Sequence, residues 1–564
     1  MPLSRVPGHP EFDGTVSPVD RRAFLRGGAI ATAVFTTGHL PGASPFTGVE
    51  ANGCRTRATE PVADFELDEA TVSQLQRDLA SGKYTSRRLT ELYLARIEQI
   101  DRSGPMINSV IEINPDAIAI ADFLDVERKA KGARGPLHGI PVLIKDNIDT
   151  ADRMRTSAGS LALAESIAPA DSGVAKRLRD AGAVIMGKTN LSEWANFRSS
   201  HSSSGWSGRG GLTRNPYVLD RNPCGSSAGT GASISASLAT IGVGTETDGS
   251  IVCPSNVNGL VGIKPTVGLV SRAGIIPISA SQDTAGPMCR TVADAAALLG
   301  VLAGEDARDP ATARARGRMT VDYTRFLDAG GLQGARIGVA RDLFSPPPAV
   351  AAAFEESIAA LKSAGAVLID PVTFKSLEHM GDAETIVLRT EFKAGVNAYL
   401  ASLGPNAPHK SLADLIRYND AHRDREMPYF GQETFLASEK AVALTAPSYR
   451  AALEKCRRLT RTMGIDAVLV RHRLDAIVAP TGGPAWTTDL VNGDHFSGDS
   501  STLAAVAGYP SITVPSGLIH GLPVGLSFIG GAWQEGTLVR LAFAFEQTTK
   551  VRRKPAYLAT LGMP

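Results

Sequence analysis

Short apolar runs alternate with helix-like segments along most of this chain, and this alternation limits its fold more than any other feature. Leu89, Tyr93 and Ile100 recur at helical spacing and share one face, whereas the apolar run from Ile140 to Ile144 has the length of a buried strand. The same patterns predict helices at 67–79, 86–101, 115–131, 174–180 and 349–364, and strands at 108–113, 140–145, 183–186, 336–340, 367–369, 474–479 and 509–515. Such alternation predicts an α/β fold with a largely parallel sheet that is covered by helices on both faces.

The pattern becomes mostly helical between about residues 381 and 473, with polar breaks at 404–406 and 428–431. We interpret this segment as a helical insertion that lines the substrate entrance. The 564 residues, of which 43% are hydrophobic and 20% charged, are enough to bury a large core. Length alone favours about three or four domains, but no Pro- or Ser-rich linker divides the chain.

Charge and spacing argue against several classes of function. The net charge is +1 and the basic clusters at 457–458 and 552–554 are short, so nothing indicates a nucleic-acid partner. The histidines are scattered and neither HExxH nor CxxC occurs, so we predict no metal and no cofactor. No run of about 18 apolar residues occurs, and we therefore predict no stable membrane insertion.

The residues with chemical potential concentrate in a segment of small residues from Gly225 to Thr266. Two serines next to glycines, Ser226 and Ser250, lie within it, and Lys145 ends an apolar run upstream. A serine hydroxyl is a poor nucleophile unless a base lies within hydrogen-bond reach. These three residues are what a serine hydrolase needs if lysine replaces histidine as the base.

A lysine acts as a base only when it is neutral at the working pH. Lowering its pKa from about 10.4 to about 7 requires that the ammonium be destabilised by roughly 4.6 kcal/mol, and burial is the usual cause. We expect the strand that carries Lys145 to bury it. Asp146 and Asp149 follow closely, and either carboxylate would favour the ammonium if it faced Lys145.

The segment from Cys224 to Thr266, together with Gly-Ile-Pro-Val-Leu-Ile-Lys-Asp-Asn-Ile-Asp at 139–149, resembles the amidase signature family, and in detail its bacterial peptide-amidase type. The resemblance runs from about residue 67 to residue 555 and is strongest between 139 and 294. It implies the amidase signature fold, a large mixed, mostly parallel sheet covered by helices on both faces. It also implies a single domain at 61–564, with the helical insertion around 381–473.

The resemblance implies a role for each of the three residues. The serine that matches Ser250 is the nucleophile, the serine that matches Ser226 relays the proton, and the lysine that matches Lys145 is the base. In the family, the relay serine lies at an unusual cis peptide bond, which a sequence does not reveal.

The turn before the nucleophile is expected to stabilise the oxyanion. Small residues there let the backbone N–H groups of Thr247, Asp248, Gly249 and Ser250 converge on an acyl oxygen, and each such donor is commonly worth about 3–4 kcal/mol. The Thr-Glu-Thr-Asp-Gly-Ser sequence of this turn departs from the double-glycine form common in the family.

These residues predict a serine hydrolase with a lysine base. The resemblance implies that it cleaves the C–N bond of a carboxamide through an acyl-enzyme, with peptide amides or similar small amides as substrates. One alternative is a Ser-His-Asp esterase, because residues 225–229 also match G-x-S-x-G with Ser227 as nucleophile. That motif requires a preceding strand, whereas turn-like residues precede it here. A second alternative is a non-catalytic binding protein on the same scaffold, although all three catalytic positions are present.

The amino-terminal sequence resembles an export signal. Arg21 and Arg22 precede a short, mildly apolar run from Gly27 to Phe35, which is typical of a twin-arginine (Tat) signal. We assign residues 1–60 to this signal and a flexible N-terminal segment, with cleavage between Gly38 and Ala63. The protein is then expected to be periplasmic or extracellular.

Three further sets of residues carry weaker signals. An odd number of cysteines without regular spacing does not indicate a disulfide framework, and we expect Cys224 and Cys253 to pack as small residues. Asp489, Asp494 and His495 are candidates for contacting a polar substrate, although a solvated loop is the favoured interpretation of 486–501. Asp283 and Thr284 are expected to be structural supports.

Overall fold

A computed structural model of the chain describes residues 62–562, and its centre is one sheet of eleven strands. The strands of the described residues are β1 (Val110–Ile113), β2 (Pro141–Lys145), β3 (Val184–Thr189), β4 (Trp206–Ser207), β5 (Gly211–Leu212), β6 (Ile241–Glu246), β7 (Val261–Lys264), β8 (Thr284–Cys289), β9 (Arg336–Ala340), β10 (Val367–Val372), β11 (Ala476–Pro480), β12 (Ser511–Ile519) and β13 (Leu522–Ile529). The order in the large sheet is β1-β3-β2-β6-β8-β7-β12-β13-β11-β9-β10, and β4 and β5 form a separate pair.

Helices surround this sheet. They are α1 (Val72–Ser81), α2 (Ser86–Arg96), α3 (Ala117–Lys131), α4 (Gly173–Asp180), α5 (Ala228–Ser235), α6 (Val252–Val257), α7 (Val292–Leu302), α8 (Pro348–Ser363), α9 (Ala383–Ser402), α10 (Leu412–Ala421), α11 (Arg423–Glu426), α12 (Glu433–Glu439), α13 (Pro447–Arg457), α14 (Asp466–His472), α15 (Thr502–Ala507) and α16 (Glu535–Thr549). The segment interpreted as a helical insertion holds α9 to α14.

The large sheet is mixed, as the resemblance implies. The pairs β2–β3, β2–β6, β9–β10 and β9–β11 are parallel, and α4 and α8 form the predicted crossovers from β2 to β3 and from β9 to β10. The pairs that run from β6 through β8, β7, β12 and β13 to β11 are antiparallel, and so is β1–β3. The alternation does not predict this central part, because β7–β8 and β12–β13 follow one another without a helix, as antiparallel neighbours can.

Capping residues set the start of several helices. We expected a helix from residue 67, but α1 begins at Val72 because Thr71 Oγ1 accepts a hydrogen bond from the Gln74 N–H (3.2 Å). The helix ends at Ser81, and the next residue, Gly82, has a φ of 76°, in the left-handed region that favours glycine. Ser172 caps α4 in the same way as Thr71 caps α1.

Apolar cores cover both faces of the sheet. Along β11, Ala476 and Val478 belong to the main core with residues of α16, whereas Ile477 and Ala479 belong to a second core with residues of α15. Successive residues of a strand face opposite sides of a sheet. The helices therefore lie on both faces, as predicted.

The helices α9, α10 and α12 share a smaller core of their own. Phe392, Leu415 and Phe435 pack there against Ile276 and Ile278, which lie in the connection between β7 and β8. This packing places α9 beside the loops at the end of β2, where Lys145 lies.

The export prediction for residues 20–35 lies outside the described residues and stays a prediction. Within residues 62–562, none of the helices combines the length and apolar character needed to cross a bilayer.

Candidate active site

Lys145 is the last residue of β2 and is fully buried, with 0% of its surface exposed. Its Nζ lies 2.7 Å from Ser226 Oγ, 2.9 Å from Thr245 Oγ1 and 3.3 Å from the Thr245 carbonyl oxygen. Burial lowers the pKa of Lys145 to about 7, against the opposing charges of Asp283 and Glu246. Near neutral pH a large share of this lysine is therefore an amine, which accepts a proton from a hydroxyl in contact with it.

The two acidic residues that follow Lys145 face other groups. Asp146 accepts a hydrogen bond from the Ser157 hydroxyl, and Asp149 accepts one from the Tyr399 hydroxyl (2.9 Å). Neither carboxylate is paired with Lys145, so neither stabilises its ammonium form by direct contact.

Three neighbouring serines have different surroundings. Ser226 follows a cis peptide bond from Gly225 and is fully buried. Ser227 is also buried, and its hydroxyl donates to the Thr245 carbonyl (3.0 Å) and accepts from the Thr245 N–H (3.2 Å). Ser250 is 8% exposed and lines a cavity, and within the described range its hydroxyl has no hydrogen-bond partner. Of the three, Ser250 is the one whose hydroxyl is open to a substrate.

The segments that carry Ser226 and Ser250 are joined at two points. The N–H of Ser227 donates to the Ser250 carbonyl (3.3 Å). A disulfide joins Cys224 to Cys253, with their Cα atoms 6.1 Å apart. These links hold the two segments side by side, and among the described residues no hydrogen bond joins the Ser226 hydroxyl to the Ser250 hydroxyl.

The disulfide corrects the expectation that Cys224 and Cys253 pack only as small residues. They are 29 residues apart in the chain, and the fold alone makes them neighbours. Cys289 and Cys456 are free and buried, which explains why the number and spacing of the cysteines gave no indication of a bridge.

Thr247, Asp248, Gly249 and Ser250 line the same cavity. Within the described residues, none of their backbone N–H groups donates to a backbone acceptor in the turns and loops. Gly249 has a φ of 78°, a left-handed conformation that this turn requires and that favours glycine. Just after the turn, Glu246 Oε2 accepts a hydrogen bond from the Ile251 N–H (2.7 Å). Unpaired donors beside a reactive hydroxyl are what a developing oxyanion needs, and the oxyanion role of Thr247, Asp248 and Gly249 stays a prediction.

The side chains of this turn are fixed from outside it. Asp283 accepts hydrogen bonds from Thr247 Oγ1 (2.6 Å) and from the Ile278 N–H (2.8 Å). Burial raises the pKa of Asp283 to about 6. Asp248 accepts from the hydroxyls of Ser501 and Thr502. The turn is thus held through the side chains of Thr247 and Asp248.

Two cavities meet at these residues. The first, which we call the aliphatic cavity, has a volume of about 340 Å³, and its walls include Ser226, Thr245, Ile275, Ile276, Pro277, Ala394 and Leu444. The second, the aromatic cavity, has a volume of about 310 Å³, and its walls include Ser250, Gly249, Phe197, Leu388, Trp486 and Phe496. Ala195, Thr247 and Ile278 line both.

The polar segment at 486–501 contributes one of its three candidate residues to these walls. Asp494 lines the aromatic cavity and accepts hydrogen bonds from the Ser204 N–H (3.0 Å) and the Trp486 indole N–H (3.3 Å). Asp489 instead accepts from the Asn492 N–H (2.9 Å) and contacts His495 (3.2 Å), away from both cavities. In residues 62–562, no group of three or more His, Cys, Asp or Glu side chains is arranged to hold a metal ion.

The geometry gives the Ser-His-Asp alternative little support. The Ser227 hydroxyl is engaged by the backbone of β6, and no histidine of the described residues lines either cavity.

Thr245, which holds Lys145, was missed by the sequence reasoning because a threonine inside a strand belongs to no motif.

The buried contact between Lys145 and Ser226 on a mixed sheet is the arrangement that the resemblance to the amidase signature family implies. The family model described as Amidase matches residues 88–539, and the chain belongs to the amidase family. A probable amidase of Arabidopsis thaliana is 42% identical over 504 residues, which cover 88% of this chain and 93% of that protein.

Two solved structures that are similar to this chain are peptide amidases. The native peptide amidase from Stenotrophomonas maltophilia is 51% identical with a TM-score of 0.83, over 88% of this chain and 100% of that one. A peptide amidase in complex with the competitive inhibitor chymostatin is 52% identical with a TM-score of 0.84, over 87% and 100%. The chain is an amidase, and the binding-protein alternative falls away.

Proposed function

We propose that this amidase hydrolyses peptide amides or similar small carboxamides through an acyl-enzyme, with Ser250 as nucleophile and Ser226 and Lys145 as a proton relay. The observation that carries the proposal is the 2.7 Å contact between Lys145 Nζ and Ser226 Oγ in a fully buried site. The similarity to peptide amidases supports the substrate class.

Acylation begins when Ser250 Oγ attacks the carbonyl carbon of the amide. The Ser250 proton passes to Ser226 Oγ, whose own proton passes to neutral Lys145. The carbonyl oxygen takes up the negative charge and is stabilised by the N–H groups from Thr247 to Ser250. The relay then runs in reverse and protonates the nitrogen, so that the C–N bond breaks and ammonia or an amine departs.

Deacylation uses the same groups. Water attacks the ester carbonyl on Ser250, and its proton passes through Ser226 to Lys145. Collapse of the second tetrahedral intermediate returns that proton to Ser250 Oγ and releases the carboxylic acid.

Ammonia release from a panel of amides tests this function. We expect C-terminal peptide amides to give the highest kcat/KM, followed by simple aliphatic amides. Absence of ammonia release from every amide, with rapid cleavage of the corresponding esters, would contradict it.

The pH dependence of kcat/KM is expected to follow Lys145. Because the relay needs the neutral amine and burial lowers the lysine pKa to about 7, kcat/KM should fall roughly tenfold for each pH unit below that value and level off above it. Asp283→Asn removes a charge that favours the ammonium, so the midpoint should move to lower pH. An unchanged midpoint in this variant, or a flat profile between about pH 5.5 and 8.5, would count against Lys145 as the base.

Export through the twin-arginine signal is the second part of the proposal. The disulfide between Cys224 and Cys253 supports it, because such bonds persist mainly in oxidising compartments. In cell fractionation we expect the protein outside the cytoplasm, and an Arg21→Lys, Arg22→Lys double variant inside it with both thiols free to alkylation. Equal distribution of the two forms would contradict export by this signal.

A further inference from the structure

A pocket lined by arginines lies apart from the two cavities of the candidate active site. It has a volume of about 300 Å³, and its walls include Arg314, Arg318, Arg461, Tyr509 and Trp533. None of the described residues that line it belongs to the walls of the aliphatic or the aromatic cavity. Sites for small ligands commonly have volumes of about 300–1,000 Å³. This space, which we call the arginine pocket, is therefore large enough for a small ligand.

The fold brings the three arginines together from two parts of the chain. Arg314 and Arg318 lie between α7 and β9, whereas Arg461 lies between α13 and α14. Aromatic rings orient two of the guanidinium groups: that of Arg461 lies 5.4 Å from the centre of the Tyr509 ring, and that of Arg318 lies 5.8 Å from the centre of the Trp533 ring. Such contacts are favourable, so they hold these two charges at the pocket.

The protein does not neutralise the positive charge of this pocket. Among the described residues, none of the three arginines forms an ion pair, whereas the neighbouring Arg316 is paired with Glu305. Two carboxylates contact the pocket wall, and both accept hydrogen bonds from other groups. Asp466 accepts from the Tyr509 hydroxyl (3.1 Å), and Glu535 accepts from a backbone N–H (2.7 Å). Neither is paired with an arginine of the pocket.

Most of the hydrogen-bond donors of these arginines are free within the described part of the chain. A guanidinium group carries five N–H donors. Arg461 Nε donates to the Ala507 carbonyl (2.7 Å). The Arg314 side chain donates to the Val267 carbonyl (3.2 Å) and to a carbonyl of its own turn (3.4 Å). The Arg318 side chain donates to none of the described residues, so several N–H groups are left to bind an anion.

The positive charges also destabilise one another. Burial lowers the pKa of Arg461, and the charges of Arg457 and Arg314 lower it further, against the opposing charge of Asp466. Burial lowers the pKa of Arg314 as well, and the charges of Arg272 and Arg457 add to this effect. Arginine stays charged at neutral pH, so the repulsion persists there. An anion bound between the guanidinium groups relieves it.

We propose that the arginine pocket binds a phosphate group, which belongs either to a small soluble anion or to a lipid headgroup. The guanidinium fork matches phosphate oxygens with two parallel N–H···O bonds. Three guanidinium groups carry more charge than one carboxylate neutralises, and this favours the higher charge of phosphate. The pocket is separate from the hydrolytic residues, so the inference does not depend on the proposed roles of Ser250, Ser226 and Lys145.

Calorimetric titration of the purified protein with inorganic pyrophosphate, at a constant ionic strength of about 0.15 M, tests the site. We expect one pyrophosphate per chain with a Kd of about 1 mM or lower. Arg318→Gln removes a guanidinium that makes no hydrogen bond to the described residues. It should leave the melting temperature unchanged and weaken binding by about tenfold or more. Arg461→Gln should weaken it to a similar extent.

Arg316→Gln is the matched control, because it removes the same charge from the same loop at a position that does not line the pocket. We expect its Kd to lie within about twofold of the wild-type value, since screening by salt weakens the effect of an exposed charge at a distance. An equal loss of binding in Arg316→Gln and Arg318→Gln would overturn the site, because it would show attraction by net charge alone.

A second arm of the experiment identifies the source of the phosphate group by co-sedimentation with phosphatidylglycerol vesicles. Sedimentation that Arg318→Gln loses and Arg316→Gln keeps would assign the phosphate to a lipid headgroup, and binding of pyrophosphate alone would assign it to a soluble anion. If the wild-type protein binds neither probe, the proposal is wrong. Amide hydrolysis is measured on the same samples: pyrophosphate binding without any hydrolysis would contradict the proposed function and leave the arginine pocket standing.

Discussion

Ser250→Ala is expected to abolish amide hydrolysis, with kcat falling by roughly 10⁴- to 10⁶-fold, the range seen when a catalytic serine is removed from a hydrolase. The reason is that Ser250 supplies the oxygen that forms the acyl-enzyme, and no neighbour replaces it. Ser227 is fully buried and bonded to the backbone of Thr245, and the Ser226 hydroxyl is held by Lys145, whereas Ser250 lines the aromatic cavity. Ammonia release under saturating substrate measures the loss.

Ser227→Ala is the matched control, because it removes the same hydroxyl from a neighbouring position. Among the described residues, its hydroxyl bonds only to the backbone of Thr245. We therefore expect a loss of about 1–3 kcal/mol in the free energy of unfolding and a kcat within about tenfold of wild type. The opposite pattern, with Ser250→Ala active and Ser227→Ala inactive, would restore the histidine-based alternative.

Lys145→Met is the second large effect that we expect, with kcat falling by about 10³- to 10⁴-fold because the relay loses its base. Methionine keeps the length and apolar character of the side chain, and it removes a buried amine whose desolvation costs free energy. The variant should therefore melt close to the wild-type temperature, and its residual rate should no longer change with pH around neutrality.

Lys188→Met is its control, since Lys188 is a second fully buried lysine on the adjacent strand β3. Its Nζ donates to the carbonyls of Ile148 (2.8 Å) and Arg155 (3.2 Å) and to the Thr156 hydroxyl (2.9 Å). We expect this variant to keep the pH profile, because Lys188 contacts neither Ser226 nor Ser250. A Lys145→Met enzyme that retains wild-type kcat and pH dependence would remove lysine from the mechanism.

The sequence predicted those parts of the site that depend on local pattern. The apolar run before Lys145 predicted a buried strand, and β2 is buried along its whole length. The small residues of the turn predicted backbone donors around Ser250, which stays a prediction, and Gly249 supplies the positive φ that the turn needs. The strand at 336–340 was predicted with the bounds that the structure gives to β9.

The parts that it did not predict depend on contacts between distant segments. The disulfide joins two cysteines that only the fold brings together, and Thr245 contacts Lys145 because β2 and β6 pair in parallel. The walls of the cavities come from the 195–197 loop, the β7–β8 connection, α9 and the 486–499 segment. No periodicity or motif in one of these segments indicates which other segments lie opposite it.

The most direct measurement of the central claim is to locate the acyl group on the enzyme. Wild-type protein is mixed with a p-nitrophenyl ester, quenched in acid before deacylation is complete, digested and mapped by mass spectrometry. We predict one acyl group, on the peptide that contains Ser250, and none on that peptide in Ser250→Ala. An acyl group on Ser227, or amide turnover without any acylated serine, would contradict the proposed mechanism.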